Sequence, residues 1–170
     1  MFITMNFAVE IPYITQNNIL MLELTPNIVI NGSFTKINYI TDFLTINGLY
    51  IMFPINPLET FGARTKMQMK YNPYTPANAA LLHDVMQLEH RLLDMYIHMR
   101  GLSIKKQISL SKQLQAGYMK IYKELTAGVI LPPPTGFSKR SYMIKISGIW
   151  ESGNECGITY KLFESFGYSG

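Results

Sequence analysis

The sequence has a single cysteine, Cys156, in 170 residues, which excludes an internal disulfide framework and any metal site built from several thiolates. It has no run near the roughly 18 consecutive apolar residues that a membrane-spanning helix needs. Its first residues lack the basic segment, apolar stretch and small-residue cleavage site of a secretory leader. The expectation is a soluble, intracellular chain in a reducing compartment with no membrane partner; were the source viral, that means the cytoplasm or nucleus of an infected cell. Phosphate-cradling loops are missing too, since Gly148, Gly153 and Gly157 match neither a dinucleotide fingerprint nor a Walker lysine motif. His83 and His90 stand seven residues apart, whereas chelation on a helix wants ligands three or four apart. Cys156 has no histidine near it in sequence to act as a base. No catalytic constellation, metal or cofactor is expected, and the chain reads as non-enzymatic.

Basic residues are scarce at first. Residues 1–60 hold only Lys36 against Glu10, Glu23, Asp42 and Glu59, a net of −3, whereas residues 61–170 hold fourteen basic and seven acidic residues, a net of +7. Any anion-binding surface therefore belongs in the C-terminal two-thirds, although ordinary solubility accounts for the charge equally well. What the chain has in quantity is apolar residues, 48% of the total, enough for one real core in a single domain over 1–170. Heavy use of Ile, Asn, Lys, Tyr, Phe and Met matches A/T-rich codons, as in viral, organellar or endosymbiont genomes. Their abundance alone carries little.

Between Ile19 and Pro54, short β-branched and aromatic runs alternate with turn residues, the pattern of antiparallel strands. Ile19 to Leu24 and Asn27 to Ile30 flank Thr25 and Pro26. Asn31-Gly32 and Asn47-Gly48 read as two-residue hairpin turns, with Ser33 to Ile40, Phe43 to Ile46 and Leu49 to Phe53 as their strands; Met1 to Val9 is a further candidate strand. Residues 54–78 hold four prolines and the cluster Arg64, Lys66 and Lys70, and read as a long basic connection able to clamp an anion. A helix over 79–100 follows, with Asn78 as its cap, Leu81, Val85, Leu88, Leu92, Tyr96 and Met99 as its apolar stripe, and Gly101 as its stop. Asp84, Glu89 and Asp94 alternate with Arg91 and Arg100 and read as a solvated face. Ser109 to Ala116 predicts a short helix closed by Gly117, Tyr118 to Leu125 a strand, and Pro132-Pro133-Pro134 an extended connection. Strands, one long helix, then strands is an α+β order that fits an elaborated OB-like antiparallel barrel, with a β-sandwich carrying a packed helix as the alternative.

The firmest element is a terminal β-hairpin over 141–166. Its alternation assigns Tyr142, Ile144, Ile146, Gly148 and Trp150 to the core and Met143, Lys145, Ser147 and Ile149 to the opposite face. Keeping the apolar sets aligned across the turn puts Lys145 opposite Lys161, with Ser147 beside Thr159. Facing lysines repel by a few tenths of a kcal/mol, on the order of the cross-strand pair energies, unless an anion lies between them. A phosphate backbone would supply it, with Ser147 and Thr159 as hydroxyl donors and Phe163 as a surface for a base. A solvated lysine face is the competing reading. Tyr118, Lys120, Tyr122 and Lys123, preceded by Lys105, Lys106 and Lys112, repeat the interleaving of stacking and phosphate-tracking residues, although core burial is the commoner fate of either tyrosine.

The run Lys145, Ile146, Ser147, Gly148, Ile149, Trp150, Glu151, followed by Gly157, Ile158, Thr159, Tyr160 and Lys161, resembles the closing hairpin of single-stranded-DNA-binding proteins from phages and large DNA viruses. The segment from Leu110 to Ile121 is similar to the stretch before that hairpin. The resemblance covers about twenty residues in the hairpin and implies an OB-type fold that coats exposed strands during replication or recombination. These proteins usually end in an acidic tail for partner docking, and Phe166 to Gly170 has no acidic run. The expected partner is thus single-stranded nucleic acid, bound largely without sequence preference by a chain that could be a homo-oligomer. The competing class is a structural or virion-assembly protein that self-associates through aromatic β surfaces; an enzyme using Cys156 or a histidine ranks last.

Overall fold

The computed structural model describes residues 8–63, 66–101, 103–123 and 140–166. Arg64, the triple proline, the end of the strand expected to run to Leu125 and most of the candidate strand from Met1 lie outside them. Val9 forms a single parallel bridge to Ile51.

The long alternating segments of the C-terminal region form the middle of the sheet. β9 (Arg140–Ser152) and β10 (Glu155–Phe166) pair antiparallel along their whole length. Gly153 makes the tight turn possible with φ of 60°, a value that costs glycine little. On one flank lie β2 (Gly32–Ile40) and then β1 (Ile19–Asn27), with the short β3 (Thr45–Asn47) on β2 and β4 (Leu49–Met52) on β9. On the other flank lie β8 (Tyr118–Lys123), β6 (Gln68–Tyr71) and β5 (Pro57–Phe61), and β7 (Lys105–Gln107) also joins β10. The strand order is β1-β2-β9-β10-β8-β6-β5.

The α+β, strand-rich class expected from sequence is what the structure has. The sheet is open and mixed, however: β1 and β5 are its two ends, and β7 and β8 run parallel to β10. An antiparallel barrel needs its first and last strands to meet and its pairs to alternate in direction, and neither holds among the described strands.

Several local expectations change for identifiable reasons. The β1–β2 turn spans Ile28 to Asn31, not Asn31-Gly32 alone; the Asn27 side chain organises it by accepting from the Val29 amide at 3.0 Å. Pro26 sits within β1, tolerated because β1 is an edge strand with no ladder bond to lose on its outer side. Asn47-Gly48 is not a hairpin turn. Gly48, with φ of 97°, hands the chain from β2's neighbour β3 to β9's neighbour β4, so the two short strands never pair with each other. The 54–78 segment is not a plain connection, because β5 and β6 within it form an antiparallel hairpin.

The long helix α1 (Pro76–Arg100) starts earlier than expected, with Thr75 at the cap and Pro76 at the first position, where a missing N–H costs nothing. Asn78 is therefore inside the helix. Buried, it ties two loops together by accepting from the Asn56 amide at 3.0 Å and donating to the carbonyls of Asn56 and Asn72. Gly101 ends the helix with φ of 64°. The buried stripe is Leu82, Val85, Leu88, Leu92, Leu93 and Tyr96; Leu81 is only partly buried and Met99 is exposed. The second helix, α2 (Ser109–Gln115), ends before Gly117 as expected. Both helices pack on one face of the sheet, over Ile37, Leu49, Ile51, Ile144, Ile146, Ile149, Ile158 and Leu162.

Two polar clusters pin α1 in place. Glu89 is fully buried, and its carboxylate accepts from the amides of Leu110 and Ser111 at 3.1 and 2.7 Å and from the Ser111 hydroxyl. The expected solvated face therefore excludes Glu89. At the other end, Glu151 of β9 accepts from Arg100 Nε at 3.0 Å, from its Nη2 at 3.3 Å and from the Tyr96 hydroxyl. Burial, then the Glu151 bond, pushes the Tyr96 phenol up to about 12; the Arg100 bond leads in holding Glu151 below the ordinary carboxylate range.

A group whose pKa is depressed on folding contributes stability that is present above its unfolded pKa and lost as pH falls through the folded one. Glu151→Gln should therefore lose about 1–3 kcal/mol at pH 7. Its deficit relative to wild type should shrink as pH falls below the ordinary carboxylate range. Urea denaturation at pH 7 and pH 3 checks this; a deficit that does not vary with pH would disprove the linkage.

Candidate nucleic-acid interface

With helices on one face, the opposite face of the sheet is covered by no described helix. Its side chains follow from the strand alternation. On β10, Ile158, Tyr160 and Leu162 turn to the core, leaving Gly157, Thr159, Lys161 and Phe163 outside. On β8, Met119 and Ile121 are buried, leaving Tyr118, Lys120 and Tyr122 outside. Leu49 and Ile51 are buried on β4, which leaves Tyr50 outside beside Lys145.

The hairpin register places Lys145 directly opposite Lys161, as the apolar alignment predicts. Ser147 does not lie beside Thr159. A β-bulge leaves Ser147 unpaired and aligns Thr159 with Gly148. One extra residue reverses the alternation beyond it, so Ile149 enters the core and Trp150 moves to the outer face. The assignment of Trp150 and Gly148 to the core is thus corrected. The signal in the sequence was the Ser147-Gly148 step, because a glycine inside a strand often marks a bulge.

Six of the outer residues form a connected group. The Lys120 and Lys161 ammonium groups lie 4.6 and 5.0 Å from the centre of the same ring, Tyr122. Phe163 packs against Tyr122 with ring centres 6.2 Å apart. Lys145 Nζ is 5.3 Å from the Tyr50 ring centre, and its stem lies against Gly48, where an added Cβ would come within 2.8 Å of Lys145 Cε. Tyrosine rings hold ammonium groups by their quadrupole without neutralising them.

Three other lysines sit near carboxylates, whereas Lys36, Lys66 and Lys112 have none within ion-pair distance among the described residues. Lys106 pairs with Asp94 at 2.7 Å, and Lys105 and Lys70 lie 4.0 Å from Glu155 and Glu59. Among the described residues, Lys120, Lys145 and Lys161 have no carboxylate within ion-pair distance. Three cations are therefore gathered on aromatic supports with their charge uncompensated.

The remaining sequence candidates fall around this group. Lys70 faces outward on β6 next to Tyr118, which is half exposed. These two join Phe61 and Gln68 in lining a shallow groove of about 490 Å³ at the β5 end of the sheet. Lys66 lies in the β5–β6 turn next to Met67, whose carbonyl accepts from the Ile121 amide at 2.8 Å, between Lys120 and Tyr122 of the central group. Lys123 is within β8, and its side chain is outside the described set, as is all of Arg64. Sequence reasoning missed Tyr50, Phe34 and Lys36, which the pairing of β4 and β2 with β9 brings onto this face; nothing local in residues 32–52 announces those partners.

No constellation for catalysis appears among these residues. Cys156 is fully buried, and burial pushes its thiol up to about 11, which disfavours the nucleophilic thiolate. No cluster of metal-ligating side chains occurs among the described residues, and no described helix is long and apolar enough to cross a membrane. Comparison with known proteins gives no match: no family model, no curated protein and no solved structure is significantly similar to this chain.

Proposed function

We propose that the protein binds single-stranded nucleic acid, DNA in the first instance, along the open face of its sheet, without catalysis and largely without regard to sequence, in replication or recombination. The observation that carries this reading is the group of three uncompensated lysines, Lys120, Lys145 and Lys161, supported on Tyr122 and Tyr50 beside Phe163. Lysines that track phosphates beside rings that accept any base are what sequence-tolerant single-strand binding requires. In this reading the sheet plays the part of an OB-type barrel, and an open face serves as well as a closed one.

Fluorescence polarisation with labelled single-stranded and duplex oligonucleotides at two salt concentrations tests the proposal. The expected result is tighter binding of the single strand and a steep loss of affinity with salt. Absence of binding, or affinity indifferent to salt, would reject it.

A second reading, self-association of copies, draws on Ile28, Val29 and Phe43, which are 99%, 86% and 95% exposed at the turns flanking β2. Association through such apolar tips would persist at high salt, which sedimentation distinguishes.

A further inference from the structure

The outer face carries a second aromatic feature, separate from the lysine group. Phe34 of β2 and Trp150 of β9 are register neighbours on adjacent strands, and each ring covers a glycine. A Cβ added at Gly148 would lie 2.3 Å from the Thr35 carbonyl oxygen and 2.5 Å from Phe34 Cζ, and one added at Gly157 would lie 2.7, 2.8 and 2.9 Å from Trp150 Cζ2, Cε2 and Nε1. The rings therefore lie down on the backbone at two places where any side chain would prop them up. Both are only partly buried, so the ring faces turned away from the sheet are the ones left for contact.

A large aromatic surface normally ends in the core, because burying it is worth more than any other placement. Here the bulge at Ser147 turns Trp150 out of the core, and glycines 148 and 157 flatten the surface beneath the two rings. Gly157 is four residues from Lys161 on β10, about 13 Å at the usual rise per strand residue. That separation is within reach of one bound strand, with lysines on its phosphates at one end and rings under its bases at the other.

We propose that Phe34 and Trp150 form a base-stacking platform that takes the exposed face of an unpaired nucleobase. The inference rests on the single-strand reading above and extends it: duplex bases have no free faces, so the platform would be what selects single strands over double. Stacking on a ring does not release counterions, so this contribution should be the part of the affinity that salt does not remove.

The chain has one tryptophan, so its intrinsic fluorescence reports on Trp150 alone. The test pairs that signal with the polarisation of a labelled oligothymidylate, using the full chain. Saturating oligonucleotide is expected to quench Trp150 strongly. Trp150→Leu and Phe34→Leu should each weaken binding about ten-fold, the effect of losing one stacked base, with an unchanged salt slope. Trp150→Phe, which keeps a π-face, should retain affinity within about three-fold, and a thermal melt of each variant separates lost binding from lost folding. Polarisation that reports binding while Trp150 fluorescence stays constant, or a Trp150→Leu variant that folds and binds like wild type, would overturn the platform and leave the lysine groove standing. No polarisation change with any oligonucleotide would reject both.

Discussion

Replacing Lys145 and Lys161 together by alanine is expected to lower affinity for every single-stranded sequence alike, by about ten-fold to a hundred-fold near 0.1 M salt. It should also flatten the slope of log affinity against log salt by about 1.4, because each single-strand phosphate contact contributes roughly 0.7. The argument is electrostatic. The two residues are directly opposed across β9 and β10, and neither has a carboxylate partner among the described residues. In the free protein their juxtaposition is mildly unfavourable, on the order of a few tenths of a kcal/mol, and a bound phosphate reverses the sign. The double variant gives up two cation–π contacts worth about 0.5–1 kcal/mol each against that repulsion, so it should stay folded within about 2 kcal/mol of wild type, and the urea melt separates lost binding from lost folding. Titrations at three salt concentrations, with a urea melt of each protein, check both parts. An unchanged salt slope would exclude these lysines from the interface.

Glu89→Ala is expected to have the largest effect on stability, about 4 kcal/mol, which for a domain of this size lowers the melting temperature by about 8–16 °C. The carboxylate is wholly inaccessible and holds the amides of Leu110 and Ser111 at the start of α2, together with the Ser111 hydroxyl. Removing it strands two buried amides and opens a cavity between α1 and α2. Glu89→Gln should recover only part of the loss, since an amide presents one acceptor oxygen where the carboxylate presents two. Asp84→Ala, on the exposed side of the same helix, should melt with wild type. Differential scanning calorimetry is the measurement, and a Glu89→Ala protein that melts within a degree or two of wild type would refute the role.

Glu89 also shows where sequence reading stops. Its neighbours Asp84 and Asp94 are exposed, and a charge pattern along a helix cannot tell which carboxylate will meet the start of another helix twenty residues later. Trp150 shows the same limit in a strand. Alternation was followed correctly from Tyr142 to Ile146, and one unpaired residue then exchanged the faces of Ile149 and Trp150. The connection at 54–78 concealed a hairpin because its four prolines and one glycine read as breakers, while β6, the partner of β5, is held on its other side by the distant β8.

By itself, the sequence determined the α+β class, the long helix with its glycine stop, the short helix before Gly117, and the terminal hairpin with Lys145 opposite Lys161. These depend on periodicity, turn residues and the need to keep one face of a strand dry, all of which act over a few residues. Only the tertiary structure decided that the sheet is open, that β8 runs parallel to β10, and that Tyr50, Phe34 and Trp150 share the lysines' face. Those outcomes depend on which distant strands meet and on one bulge, and contacts across a hundred residues of chain leave no local pattern from which to read them.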